Sequence, residues 1–106
     1  MKQNYAIIIP AVDEADGSNA IQIVCDKSVS RKIMKVVNII FTYTPVGGSL
    51  SFVVRSIKSG AVQFDDPTEI LINTDVLDPK QENQLLKAIC KELETLLGAR
   101  RVACLL

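Results

Sequence analysis

Apolar residues arrive in short β-branched bursts through the first two thirds of the chain and at helical spacing in the last third. Tyr5 to Val12 is one burst and predicts a strand. Pro10 lies inside it and lacks a ladder donor, so this is an edge strand or one ending in a bulge. Asp13 to Asn19 is an acidic turn centred on Gly17-Ser18. Ala20 to Asp26 predicts the second strand, with Ile21 and Ile23 on one face, and completes a hairpin. Lys27 to Ser30 is a polar connection.

Ile33 to Thr44 fits two periods. Ile33, Val36, Val37 and Ile40 make one helical face. Read as a strand, Val37, Ile39, Phe41 and Tyr43 share a side. Val36 to Thr44 is almost all β-branched or aromatic, residues that lose rotamer freedom in helices, so the expectation is a strand. Pro45-Val46-Gly47-Gly48 then turns the chain. Leu50 to Ile57 returns antiparallel, with Leu50, Phe52 and Val54 on one face. Ala61 to Phe64 and Glu69 to Asn73 add two short strands around the break at Asp65-Asp66-Pro67.

From Asp78 the period changes to 3.6. Asp78 is the N-cap and Pro79 the first helical residue. Leu85, Leu86, Ile89, Leu93, Leu96 and Leu97 form one apolar stripe, and Gly98 ends the helix. The tail, Ala99 to Leu106, suits a last strand with Val102, Cys104 and Leu106 inward, or a short second helix. The expected fold is α+β: an antiparallel meander of about six strands followed by a C-terminal amphipathic helix, in one domain spanning residues 1–106.

Composition adds a bound on size. The apolar fraction is 48%, with no Trp, two Tyr and three Phe. Ile, Val and Leu must build the core. A domain this small has little interior, so part of the aliphatic load is expected at a subunit interface, with Leu85, Ile89, Leu93 and Leu96 as its candidates. No stretch reaches the ~18 apolar residues of a membrane span, and the N-terminal run is too weak for a signal peptide. Cys25, Cys90 and Cys104 are odd in number and widely spaced. That argues against a disulfide framework and for a reducing, cytoplasmic setting.

The chain has no histidine. This removes His-based triads and nearly all mixed His/Cys zinc sites. No phosphate loop accompanies Asp13-Glu14-Ala15-Asp16, so those acids read as a solvated turn. Cys25 sits beside Asp26 and reads as a structural thiol, and the adjacent carboxylates of Asp65-Asp66 read as a turn. No catalytic residue, metal or cofactor is expected.

Charge is the remaining signal. Between Asp26 and Asp65 stand six cations, Lys27, Arg31, Lys32, Lys35, Arg55 and Lys58, and no acid, although the whole chain is neutral. Residues 61–78 hold five acids and no cation. Segregation of this kind points to binding or self-association. Arg31, Lys32, Lys35 and Arg55 are the candidate phosphate contacts.

The stretch Ile70-Leu71-Ile72-Asn73-Thr74, continuing through Leu85-Leu86-Lys87-Ala88-Ile89 to Leu96-Leu97, resembles the last strand and first helix of the coat proteins of single-stranded RNA phages. Ala99 to Leu106 would stand for their second helix. The likeness is one of element order and transfers no residue roles. It implies a capsid protein: a homodimer with a continuous sheet, helices packed on the partner, and RNA against the sheet's inner face. The rival expectation is a small cytosolic adaptor, chaperone or immunity protein that binds protein and no nucleic acid.

Overall fold

A computed structural model describes residues 5–44, 47–57, 64 and 66–104. Five strands, β1 (Ala6–Val12), β2 (Asn19–Asp26), β3 (Ser51–Ser56), β4 (Pro67–Asn73) and β5 (Val102–Cys104), form one sheet in the order β3-β4-β2-β1-β5. Helices α1 (Lys27–Tyr43) and α2 (Pro79–Leu97) cover one face of it. The fold is α+β as expected. Its sheet is mixed, because β5 runs parallel to β1, and it has five strands among the described residues. Of the strand expected at Ala61 to Phe64, residues 61–63 lie outside the described residues. So do Pro45 and Val46 of the expected turn.

The β1–β2 hairpin forms as anticipated. Asp13 N donates to Ser18 O at 2.8 Å, which sets the ladder's phase. Hydrogen-bonded pairs alternate along an antiparallel ladder. Pro10, opposite Ile21, therefore falls on a non-bonded pair. Its missing donor faces away from β2, beyond the last residue paired with β5. Pro10 thus costs the β1–β2 ladder nothing. The acids of the turn serve the turn itself. Asp13 Oδ1 accepts from Ala15 N, Asp16 Oδ1 accepts from Ser18 N, and Gly17 takes φ 76°.

The strand expected at Ile33 to Thr44 is helix α1, and this is the main correction. Asp26 caps it, its side chain accepting from Ser28 N at 2.9 Å and from Asp66 N at 2.8 Å. Val29, Ile33, Val37 and Ile40 are buried along one stripe. β-branched residues lose only tenths of a kcal/mol each in a helix. Full burial of one such side chain gains ~1.5–3 kcal/mol, so packing on the sheet decides the conformation. Gly47 closes the far end. A Cβ there would stand 1.8 Å from Phe41 O, so only glycine lets the chain pass beneath α1.

On the covered face Ile8, Ile23 and Ile70 lie in one cross-strand row, and Ile21 and Ile72 in the next. Helix α1 crosses β2 and β4, while α2 crosses β1 and β5. The boundaries of α2 match the expectation. Asp78 and Gln81 form a capping box, Pro79 opens the helix and Gly98 follows it at φ 99°. The stripe needs one revision. Leu85, Leu86, Ile89, Cys90 and Leu93 are buried, but Leu96 is 39% exposed.

The tail resolves into a 3-10 turn at Ala99–Arg101 followed by β5. That return brings Cys104 to Cys90, and the two form a disulfide across a separation of 14 residues. The expectation of unpaired cysteines is corrected. Distance in sequence did not matter once β5 lay beside β1 under α2, and the argument for a reducing compartment loses its premise. No helix among the described residues is long and apolar enough to cross a membrane.

Candidate interaction surfaces

Helix α1 turns the scattered cations of the sequence into a stripe. Positions four apart share a helical face, so Lys27, Arg31 and Lys35 align, with Lys32 beside them. All four are exposed. No acid stands in the first turn of α1. Cations near a helix N-terminus oppose the macrodipole, so this placement carries a small local cost, on the order of tenths of a kcal/mol. Among the described residues none of the four makes an ion pair within 4.0 Å.

Arg55 lines a depression with Lys27 and Arg31, but its charge is drawn toward carboxylates. It projects from the uncovered face of the sheet, where its guanidinium lies 3.8 Å from both Asp13 and Glu69. Glu69 also accepts from Gln22 Nε2. Of the candidate set Arg31, Lys32, Lys35 and Arg55, Arg31 and Arg55 therefore line one depression together with Lys27, and Lys32 and Lys35 lie outside it. Reading Ile33 to Ile40 at helical period would have put Lys27 in the set. Reading it as a strand hid the alignment.

The proposed interface residues also move. Leu85, Ile89 and Leu93 are buried within the chain's own core, at 2%, 0% and 0% exposure. Of the four, Leu96 alone offers surface. Exposed apolar side chains occur elsewhere. Ile39 and Tyr43 flank a groove of about 400 Å³ between α1 and α2, lined also by Val36, Ile40, Ala88, Lys91 and Glu92.

The second unpartnered feature is the edge of the sheet. β3 pairs with β4 on one side and has no strand on the other among the described residues. Its ladder phase is fixed twice. Thr74 N donates to Asn19 O, which directs the even residues of β4 toward β2. Ile57 N donates to Pro67 O, which directs the odd residues of β3 toward β4. The backbone groups of Phe52, Val54 and Ser56 consequently point out of the sheet edge. Val53 and Val54 are 48% and 41% exposed.

Among the described residues no group of three or more His, Cys, Asp or Glu is placed to hold a metal ion. Cys25 is fully buried in the core. Burial, reinforced by the neighbouring Asp26 charge, pushes its thiol up to about 12. A thiol so held is neither ionised nor accessible at neutral pH. The chain matches no protein-family model, no curated protein and no solved structure.

Proposed function

We propose that the protein is a non-enzymatic module that self-associates through the edge of β3 that no other described strand covers. The observation that carries this reading is the row of outward backbone groups at Phe52, Val54 and Ser56, beside exposed valines. Native sheets usually blunt such an edge with lysine, proline or a bulge. β3 contains neither lysine nor proline, and its one charged residue, Arg55, is drawn back to Asp13 and Glu69.

The geometry of pairing favours a second copy. Two antiparallel β3 strands must oppose residues of the same face. Centring the two-fold axis on Val53 sets Val53 against Val53, Phe52 against Val54 and Arg55 against Ser51. Apolar residues then meet apolar ones, and the two arginines stand apart. Centring it on Val54 sets Val53 against Arg55 and Phe52 against Ser56, which is poorer on both faces. Each apolar cross-strand pair contributes roughly 0.2–1 kcal/mol.

This reading departs from the coat-protein plan. That likeness assumed an unbroken meander, and α1 stands between β2 and β3 where the plan has strands. What remains of it is self-association.

Cysteine cross-linking tests the register. A non-hydrogen-bonded antiparallel pair brings Cα atoms to about 4.5 Å, within disulfide reach. Val53→Cys should form a covalent dimer under mild oxidation, and Val54→Cys should do so poorly. Equal yields, or no cross-link from Val53→Cys at about 100 µM protein, where a micromolar dimer would be populated, would sink the proposal.

A further inference from the structure

We infer that the groove between α1 and α2 docks an acidic, amphipathic helix of a partner protein. The inference uses residues distinct from the β3 edge and goes beyond self-association. Helix α1 is apolar on two faces. One is consumed by the sheet through Ile33, Val37 and Ile40. The other is the seam Val36, Ile39, Tyr43, at spacings of three and four residues. Ile39 is 59% exposed and Tyr43 83%. A seam of this spacing is what one helix presents to another.

The form of the occupant follows from the walls. Both lips of the groove are helices, whose backbone donors and acceptors are satisfied internally. An extended segment lying there would find no backbone partners and would leave its own groups unpaired. A helix brings its hydrogen bonds with it. The groove's volume of about 400 Å³ suits side chains inserted from such a helix.

The charge of the occupant follows from the rim. Lys91 and the single acid Glu92 line the α2 lip. On α1 the exposed Lys32 and Lys35 stand one turn before Val36 and Ile39, outside the groove's lining but on the approach to it. Flanking Asp or Glu on the partner would meet these cations, which steers encounter and fixes orientation. The same rim disfavours a second copy of this chain, because lysine would face lysine. It also favours protein over RNA. Base recognition uses aromatic planes, whereas Val36, Ile39, Ile40 and Ala88 are aliphatic and Tyr43 is the one ring in the groove.

The test uses the full chain and a designed probe. The probe is a fluorescent helical peptide of about 18 residues, or roughly five turns, with leucines at i, i+3, i+4 and i+7 and glutamates elsewhere. Anisotropy should report saturable binding. The same peptide with lysine for glutamate should bind about tenfold or more weakly, a difference of ~1.4 kcal/mol. Ile39→Glu and Tyr43→Glu should each weaken the acidic peptide by a similar factor. Both positions are exposed, and unchanged thermal melts would show that the fold is intact. Lys32→Glu with Lys35→Glu should weaken it further at low salt than at high salt. Absence of binding, equal binding of the lysine peptide, or binding that survives Ile39→Glu would overturn the inference. So would preferential binding of a single-stranded oligouridylate.

Discussion

Cys25 shows how one buried side chain ties stability to pH. Its ordinary pKa is 9.0, and the native thiol holds its proton to about 12, chiefly through burial and then through the charge of Asp26. Between those values the unfolded chain binds fewer protons than the native one. Stability from this group is therefore complete below pH 9 and falls as pH rises toward 12. Cys25→Ala should melt lower than wild type at pH 7, because it leaves a small cavity. The gap should narrow from pH 9 to 12. A gap of constant width would show that the thiol is not held protonated. Ile89 and Leu96 make a sharper contrast at the same scale. The two residues share one stripe in the sequence, but Ile89 is 0% exposed and Leu96 is 39% exposed. Ile89→Ala should cost ~2–5 kcal/mol. Leu96→Ala should cost well under ~2 kcal/mol, since much of its side chain never leaves water. Equal losses in thermal melts would contradict the orientation of α2.

At the scale of elements, α2 was readable and α1 was not, for a physical reason. Helix α2 carries its own punctuation in Asp78, Pro79 and Gly98, and its apolar positions obey one period only. Helix α1 has β-branched residues that satisfy both periods, and only burial against β2 and β4 selects between them. A local signal did exist. Asp26 precedes the helix as a capping residue, but at the end of a strand it reads equally as a turn residue. That carboxylate joins two elements, through Ser28 N and Asp66 N. Asp26→Ala should therefore exceed the ~1 kcal/mol typical of a lost cap. A chemical-denaturation loss under about 0.5 kcal/mol would mean that the tie to β4 contributes nothing. The Cys90–Cys104 link was illegible for another reason, because it depends on β5 returning beside β1. In the chain-entropy account, a loop of this length is worth ~3 kcal/mol. Cys104→Ser should lower the melting temperature accordingly, and reductant should do the same to wild type. A melt unaffected by either would contradict the bond.

The whole molecule is a two-layer sandwich whose helices cover one side of a five-stranded sheet. Segregated charge in the sequence pointed to binding surfaces, and the aliphatic excess pointed to association. Neither could place those surfaces. Whether β3 is an edge depends on which strands pair, and that is settled by contacts distant in sequence. Whether the cations align depends on α1 being a helix. The excess of apolar residues lies largely in the core through Leu85, Ile89 and Leu93, so the surface left for a second copy is smaller than the composition suggests. Association through a six-residue edge should accordingly be modest, dominated by apolar pairs and backbone hydrogen bonds, and little affected by salt.

Sedimentation of wild type beside Val54→Pro tests self-association through β3. Proline at position 54 removes a backbone donor that points out of the sheet, and it leaves the bonds to β4 in place, because these use the odd residues of β3. Val53→Lys serves beside it, setting lysine against lysine at the two-fold axis without touching the backbone. At about 100 µM, a concentration that populates a micromolar dimer, wild type should sediment as twice the 11.6 kDa chain in both low and high salt. Both variants should sediment as monomers with wild-type circular dichroism. A wild type that stays at 11.6 kDa, or folded variants that both remain dimeric, would contradict self-association through β3.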